Sequence, residues 1–335
     1  MGDSIQRAQD VRRVLRRFRR EGLTEEQVVA ELLPGLVKDL PRNVRGIWEY
    51  GLMEMINNAI SHSGGSSVVV GLRRTPSAME GVIADDGEGI FLRIQRELEL
   101  FDPRLAILEL VKGKFTSDPV HHTGEGVFFT SKIFDEFQIR SGRLRFVHDH
   151  GERDVLFEGA QHFAGTLVRM RLANDSTRTA LEVFNEFTES EEHRFTKTIV
   201  PVRLAQLEGT SLMSRSQARR LTRRFECFET VILDFEGVEE IGQGFADETF
   251  RVFQNANRST RLLPVHMTPD VEFMVRRAGG GRRDVQGDRH DEESQLARRE
   301  AGSLPFAATT FAFKGTPPWP RPQPSGSSTS AHRSV

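Results

Sequence analysis

The 335-residue chain contains a single cysteine, Cys227. One thiol cannot form an intrachain disulfide, so a disulfide-stabilised scaffold is excluded and a reducing compartment is favoured. Because Cys227 follows Phe225 in an amphipathic stretch, we expect its thiol to be buried and structural.

Long apolar runs are also missing from the chain. No stretch approaches the roughly 20 apolar residues of a membrane span. The N-terminus is polar and arginine-rich without an apolar core, so it does not predict a secretory signal. These absences predict a soluble, cytoplasmic protein.

Charge of one sign is not in excess, because 46 Lys and Arg residues accompany 48 Asp and Glu residues, for a formal net charge of −2. The whole-chain balance gives no reason to expect nucleic-acid or membrane binding. With 37% apolar residues the composition is that of an ordinary globular protein, and the length predicts two domains with a tail.

The first forty residues are locally basic. Residues 5–20 have apolar residues at helical spacing with arginines between them, which predicts a helix ending at Gly22. Thr24 and Gln27 have the spacing of a capping box for a second helix. The arginines suit nucleic acid, but nearby glutamates favour a solvated helical face, so DNA binding is the less favoured interpretation of residues 1–40.

Three short stretches combine residue types that suit nucleotide chemistry. Glu54 and Asn58 are four residues apart in a predicted helix over residues 44–62, capped by an asparagine at 43, so both side chains leave the same face. Residues 85–90 and 123–126 are glycine-rich turns with acidic or hydroxyl neighbours. A helix offering a carboxylate and an amide, beside two turns that admit close backbone approach, fits a nucleotide and its magnesium.

In order and spacing these stretches resemble the N, G1 and G2 boxes of the GHKL superfamily. This superfamily of ATPases includes gyrase B, MutL, histidine kinases and the anti-sigma-factor serine kinases, and the N box is most similar to that of the serine kinases. The resemblance covers residues 44–172. It implies a Bergerat α/β sandwich, with a mixed, mainly antiparallel sheet carrying helices on one face, and ATP with Mg²⁺ as the cofactors.

The predicted elements agree with that architecture. Helices are expected at residues 103–112 and 126–134. The predicted strands are residues 66–74, 80–84, 137–140, 144–148, 154–158 and 166–172.

Within the first box the resemblance assigns Glu54 as the general base and Asn58 as the Mg²⁺ ligand through its amide oxygen. Standing alone, Glu54 would be interpreted as an exposed helix glutamate. Asn57 is expected to face elsewhere, because adjacent helical residues point about 100° apart. His62 resembles the histidine of the serine-kinase N box, but a helix-terminal histidine near the last carbonyls is an equally good account.

In the second box Asp85 matches the aspartate that accepts a hydrogen bond from the adenine amine. Gly87 and Gly89 allow a tight turn with room for base and sugar, and Ile90 follows them at the site. The alternative is an ordinary hairpin, for which Asp-Gly is a strong signal.

The third box precedes a predicted helix, so backbone N–H groups and the helix N-terminus would hold the phosphates. It departs from the family pattern in having fewer glycines and no following leucines. Lys114 is a further candidate for the γ-phosphate, and Lys132 a second one. The residues expected to form the cradle are Thr123, Gly124, Glu125, Gly126 and Val127.

The second half of the chain alternates strand and helix, which predicts a small, mostly parallel α/β domain. With an acidic strand end and turn from Asp234 to Gly237, followed by the glycine-rich stretch from Ile241 to Phe245, it resembles a STAS-like domain of the kind fused behind GHKL modules. Gly242 to Gly244 occupy the place where antagonist proteins carry a phosphorylatable serine, so a phosphoswitch there is not predicted. The expected organisation is a basic helical segment (1–40), a GHKL domain (41–173), a connector (174–195), a STAS-like domain (196–278) and a disordered tail (279–335).

Together these features predict a Mg²⁺-dependent ATP-binding regulatory protein with slow ATPase activity. Closure of residues 91–123 over the phosphates would be coupled to the STAS-like domain or to a protein partner. One alternative is a protein serine/threonine kinase acting on a separate protein, and another is a non-catalytic nucleotide- or DNA-binding scaffold. No histidine precedes His62, so an autophosphorylated helix is not expected. The sequence is also compatible with a homodimer.

Overall fold

The N-terminal half of the protein is built on one antiparallel sheet. A computed structural model describes residues 11–114, 124–149, 154–188, 195–206 and 211–279. In chain order the elements of this half are β1 (Arg12–Arg19), α1 (Glu25–Leu32), α2 (Pro34–Val37), α3 (Arg42–His62), β2 (Ser67–Arg74), β3 (Ala78–Asp85), α4 (Ile90–Glu97), α5 (Leu105–Lys112), α6 (Gly126–Ile133), β4 (Glu136–Asp149), β5 (Val155–Ala173) and α7 (Ala180–Glu186).

The five strands lie in the order β1-β2-β3-β5-β4, and every neighbouring pair is antiparallel. Alternate side chains point to opposite faces, and one set, including Val70, Ile83 and Met170, is fully buried against the helices. This arrangement confirms the predicted α/β layering, with a mainly antiparallel sheet under helices.

The helix α3 packs closely on this face because it presents both a large ring and a glycine. Trp48 is fully buried and its ring meets that of Phe134 edge-on, with centroids 4.9 Å apart. A Cβ at Gly51 would clash with the Phe134 ring, and one at Gly81 would lie 2.7 Å from the Trp48 ring. These contacts set the position of the helix that carries the first box.

The N-terminal helix predicted over residues 5–20 is wrong where the structure describes it, because Arg12–Arg19 form the strand β1. The apolar residues Val14 and Phe18 are four apart, a spacing that also places both on one face of a strand. Pairing with β2 over its whole length decides between the two. The capping box of Thr24 with Gln27 is confirmed at the start of α1.

Three further expectations need correction. Asn43 does not cap α3, since its Nδ2 donates to the carbonyls of Ser176 and Arg178 at 2.7 and 3.0 Å. The four strands predicted between residues 137 and 172 are two long ones, because β4 and β5 continue through irregular pairing around Gly142. The segment from 91 to 114 is largely helical, forming most of α4 and all of α5, and residues 115–123 lie outside the described residues.

The C-terminal half contains a three-stranded parallel sheet whose strands alternate with helices, as predicted. In chain order its elements are β6 (Lys197–Pro201), α8 (Arg215–Thr222), β7 (Thr230–Asp234), α9 (Gln243–Asp247), α10 (Gln254–Ala256), β8 (Arg261–Val265) and α11 (Pro269–Gly279). The strands lie in the order β6-β7-β8. The helix α9 continues into α10 through a π-helical turn, Glu248–Phe253.

Cys227 is exposed in a 3₁₀ turn after α8, so the expectation of a buried thiol is wrong. Its neighbour Phe228 takes the buried position instead. The predicted disordered tail lies, apart from Gly279, outside the described residues. No helix in the described ranges has the length and apolar character needed to cross a membrane.

The two sheets share one hydrophobic core and belong to one compact unit. A ring cluster joins them, in which Phe195 contacts both Phe128 of α6 and Phe228 at centroid distances of 4.6 and 5.4 Å. The Thr198 hydroxyl of β6 donates to the Lys112 carbonyl at the end of α5, at 2.8 Å. The two predicted domains are therefore firmly packed together.

A buried ionic cluster lies at this junction. Lys112 is fully buried and its Nζ lies 2.7 Å from Glu109 Oε1, while Glu109 Oε2 lies 3.2 Å from the Arg224 guanidinium. Lys112 Nζ also donates to the Arg223 carbonyl at 3.0 Å, and Arg224 donates to the Gly113 carbonyl at 3.1 Å. The end of α5 is thus held by charged groups and carbonyls of the C-terminal half.

Candidate functional site

A cavity of about 330 Å³ lies between α3, the end of β3 and the first turns of α4 and α6. Its walls are partly polar and partly apolar, as in sites for small organic ligands. The lining residues are Glu54, Met55, Asn57, Asn58, Ala59, His62, Ser63, Ile83, Asp85, Gly89, Ile90, Arg93, Ile94, Leu110, Gly124, Gly126, Val127, Ile139, Thr166 and Val168.

The first box lines one wall of this cavity. Glu54, Asn58 and His62 are at successive turns of α3, so one helix face presents a carboxylate, an amide and an imidazole. Asn57 also lines the cavity, contrary to expectation, and its Oδ1 accepts a hydrogen bond from the Ser61 hydroxyl at 2.9 Å. Because of that bond, the Asn57 amide oxygen is already used within the helix.

Asp85 lies at the end of β3 and is held by backbone groups. Its Oδ1 accepts hydrogen bonds from the N–H of Gly87 at 2.9 Å and of Thr166 at 3.2 Å. Burial raises the pKa of the Asp85 carboxyl, and these hydrogen bonds act in the opposite direction. Gly165 has a φ of +78°, and a Cβ there would clash with the Asp85 carbonyl oxygen, so the two backbones approach closely.

The hairpin alternative for residues 85–90 does not hold, because these residues join β3 to α4. Gly87 does not line the cavity; a Cβ on it would clash with the carbonyl oxygen of Ser63. Gly89 has a φ of +96° and is the N-cap residue of α4, and the Ile90 N–H donates to the Thr166 hydroxyl at 2.9 Å. The glycines thus allow close packing around the cavity mouth.

The third box adjoins α3 at the edge of the cavity. Gly124 has a φ of +71°, and Gly126 begins the eight-residue helix α6. A Cβ on Gly126 would clash with the Glu54 carboxylate, so the helix start and that carboxylate are in direct proximity. Gly124, Gly126 and Val127 line the cavity, whereas Thr123 lies outside the described residues.

Glu54 stands between this cavity and a second one of about 440 Å³. Glu125 lines the second cavity rather than the first, together with Tyr50 and the rings of Phe129 and Phe184. Burial, and then the neighbouring charges of Glu125 and Glu25, raise the pKa of the Glu54 carboxyl. A carboxylate with a raised pKa is a stronger proton acceptor.

The two lysines considered for the γ-phosphate do not line the cavity. Lys114 Nζ donates to the Cys227 carbonyl at 2.9 Å and lies over the ring of Phe228, 4.9 Å from its centroid. Lys132 Nζ lies 5.9 Å from the Phe128 ring centroid. Lys114, which follows the end of α5, is thus directed toward the C-terminal half and away from the cavity.

No group of three or more His, Cys, Asp or Glu side chains arranged for a metal occurs within the described residues. Asn58, the residue assigned to Mg²⁺ by the family resemblance, lines the cavity.

Several residues that line the cavity were not predicted from the sequence. Arg93 of α4 lines the cavity, and its guanidinium is bonded to Glu97 at 2.7 Å and to the His62 carbonyl. Ile139 and Val168, from two strands, complete an apolar wall. Gly165 before Thr166 could have signalled a close approach, but nothing local marks the other residues.

The comparisons with known proteins bear on the other half of the chain. A family of STAS-like domains of unknown function (DUF4325) matches residues 217–272. The protein contains a STAS-like domain. The matched range runs from within α8 to within α11 and includes β7 and β8, the second and third strands of the parallel sheet. Among curated proteins, none matches the chain.

The STAS-like match does not reach the cavity, whose lining lies between Glu54 and Val168. In the domain itself, the loop after β7 carries Gly242, whose surroundings include the backbone of Met213.

Proposed function

We propose that the N-terminal half is a Bergerat-type GHKL module whose cavity binds ATP with Mg²⁺, and that the protein is a regulator with slow ATPase activity. One observation carries this proposal. Residues from all three boxes, which are far apart in sequence, line one cavity with the carboxylate, amide and helix start facing it.

The cavity walls fit the parts of such a ligand. Ile83, Ile139 and Val168 supply an apolar surface for a flat base, and Asp85 supplies an acceptor beside it. The start of α6, with Gly124 and Gly126, supplies the open backbone that a phosphate needs. A cavity of about 330 Å³ lies within the range of roughly 300–1,000 Å³ usual for ligand sites.

In the proposed reaction Asp85 selects an amino-substituted purine, because its fixed carboxyl accepts a hydrogen bond. Asn58 would hold Mg²⁺, which when bound neutralises phosphate charge. Glu54 orients a water molecule and accepts its proton, since it lies against the start of α6 and its pKa is raised.

The same geometry offers a route to the STAS-like domain. Leu110 of α5 lines the cavity, while Glu109 and Lys112 of the same helix make the buried cluster with the C-terminal half. A ligand that displaces α5 would therefore alter contacts in the STAS-like domain. This is the proposed coupling of nucleotide state to the second domain.

Calorimetric titration with ATP tests the binding step. The wild type is expected to bind ATP at least roughly tenfold more tightly with Mg²⁺ than with excess EDTA. Asn58→Ala is expected to remove this difference, because the amide oxygen is lost. Asn57→Ala is expected to retain it, because Asn57 is engaged by Ser61. Absence of ATP binding by the wild type would reject the proposal.

Protein phosphorylation is the second candidate activity, and the second cavity favours it. Since that cavity also reaches Glu54, a hydroxyl from another chain could approach the same base from that side. Free phosphate from γ-labelled ATP indicates hydrolysis, whereas label on a protein indicates a kinase.

Replacing the base should suppress either activity. Glu54→Gln is expected to lower turnover of γ-labelled ATP by about 10²–10⁴-fold, the usual contribution of a general base, while ATP still binds. Glu49→Gln, at an exposed position on the same helix, is the matched control and should keep wild-type turnover. Equal turnover in the two variants would remove Glu54 from the mechanism.

A further inference from the structure

The face of the five-stranded sheet opposite the helices is rich in arginine. Alternation along the paired strands places on this open face Arg13, Arg17 and Arg19 of β1, Arg73 of β2, Arg140 of β4, and Arg169 and Arg171 of β5, with Glu80 and Glu136 as its acidic residues. The helix-facing set of β1 differs: Val14 and Phe18 pack against the core.

The arginines on the two faces of β1 differ in whether they form ion pairs. On the helix side, Arg12 pairs with Asp39 at 3.4 Å and Arg16 with Glu31 at 3.7 Å. On the open face, Arg169 pairs with Glu80 at 3.4 Å. Within the part of the chain that the structure describes, none of the other six open-face arginines makes an ion pair, so this face carries uncompensated positive charge although the whole chain is near neutral.

The unpaired arginines are spread across the sheet. The register connects Arg13 to Arg73 and Arg171 to Glu136 in one cross-strand row, and it places Arg17 and Arg140 at opposite ends of another. Neighbouring strands are about 4.8 Å apart, so the guanidinium groups form an array rather than one pocket. Arg13, Arg17 and Arg19 are exposed to solvent.

The uncharged residues of the open face indicate that a nucleic acid bound there would be contacted through its phosphate backbone rather than through its bases. Most are small or aliphatic, as at Leu15, Val69, Val82, Ala84 and Leu167, and Gln138 is a polar exception. Proteins that bind single strands through their bases present aromatic rings for stacking. The rows from Arg13 to Arg19 have none, and the ring of Phe163, farther along β5, is covered by the Arg140 guanidinium, 5.5 Å from its centroid. Arginines spread across a sheet face can contact several phosphates at once.

We propose that the open face of this sheet binds the phosphate backbone of double-stranded nucleic acid, without reading its sequence. The occupant follows from charge complementarity: arginine forks bind phosphate oxygens in pairs, and a duplex presents regularly spaced phosphates over a length comparable to the sheet. The proposal is independent of ATP binding, because the cavity lies on the helix side of the sheet.

The test compares two sets of substitutions on the same strand. The full-length protein is titrated into a short labelled DNA duplex of mixed sequence at several salt concentrations. Arg13→Gln, Arg17→Gln and Arg19→Gln together are expected to weaken binding roughly tenfold or more. They should also reduce the slope of log affinity against log salt by about 2.7, at about 0.9 per lost phosphate contact. Arg12→Gln with Arg16→Gln is the matched control and should retain most of the affinity and slope.

A second pair guards against disruption of the edge strand. Arg140→Gln with Arg171→Gln leaves β1 untouched and is expected to lower the slope as well. Similar binding by the β1 open-face and helix-face variants would overturn the proposal. So would absence of duplex binding by the wild type, or binding only to vesicles of anionic phospholipid.

Discussion

Asp85→Asn is expected to lower the affinity for ATP about 100-fold, or ~2.7 kcal/mol, while the protein keeps its fold. Asparagine can still accept the hydrogen bonds from Gly87 and Thr166 through its oxygen. Its NH₂ group, however, replaces an acceptor by a donor, which opposes the adenine amine. Calorimetric titration of ATP and GTP into both proteins measures the effect, and the preference for ATP over GTP should fall.

Asp86→Asn is the matched control, since Asp86 is adjacent but faces other groups. Its carboxylate accepts four hydrogen bonds from the N–H and hydroxyl groups of Ser66 and Ser67, at 2.7–3.0 Å. This variant should lose stability and keep its ATP affinity. An equal loss of ATP affinity in both variants would show that Asp85 acts through folding alone.

The contribution of the Asp86 carboxylate to the free energy of unfolding is expected to depend on pH over a defined range. Partial burial by itself raises the pKa of the Asp86 carboxyl, but the hydrogen bonds from the two serines outweigh it and lower the pKa to about 2, from 3.8. Because the folded pKa is the lower one, this contribution is fully present above pH 3.8 and is lost as the pH falls through about 2. The stability difference between wild type and Asp86→Asn should shrink over that window.

Glu109→Leu is expected to lower the free energy of unfolding by about 3–5 kcal/mol, the usual cost of removing one partner from a buried ionic cluster. Without Glu109, the fully buried Lys112 ammonium has no carboxylate beside it. Burial lowers the pKa of Lys112, and Glu109 is the main group acting against that. Urea denaturation provides the measurement.

The cluster is asymmetric, which gives the prediction a second readout. Lys112→Met should cost less than Glu109→Leu, because Glu109 then keeps Arg224 at 3.2 Å and methionine fills the buried space. Glu272→Leu breaks an exposed pair with Arg276 and should cost about 0–1 kcal/mol. If Glu109→Leu costs no more than Glu272→Leu, the cluster does not hold α5 to the C-terminal half.

The sequence marks only one of the two sites that these predictions concern. Asp85 was recognised because glycines follow it in a short motif. Glu109 and Lys112 lie within the helix predicted over residues 103–112, and no local pattern marks them as a pair because their partner Arg224 is remote in the chain. The position of Lys114 could not be predicted for the same reason, because its neighbours Cys227 and Phe228 are also remote in the chain.

Local patterns predicted much of the architecture. Alternation and helical spacing located most strands and helices, and the four-residue interval between Glu54 and Asn58 predicted their shared face. The wrong prediction of a helix at β1 shows where local patterns fail. Apolar residues four positions apart lie on one face of a helix and also on one face of a strand. Only the pairing with β2 distinguishes them, and that pairing joins residues distant in the chain.

By itself the amino-acid order established the parallel C-terminal alternation, the antiparallel sheet with its helices, and the candidate residues of the three boxes. Tertiary structure alone decided that these boxes share a cavity, that Arg93 and the apolar wall complete it, and which arginines of β1 stay unpaired. The physical reason is range: backbone propensity and periodicity act over a few residues, whereas cavities, ion pairs and sheet faces are made by segments that meet only after folding.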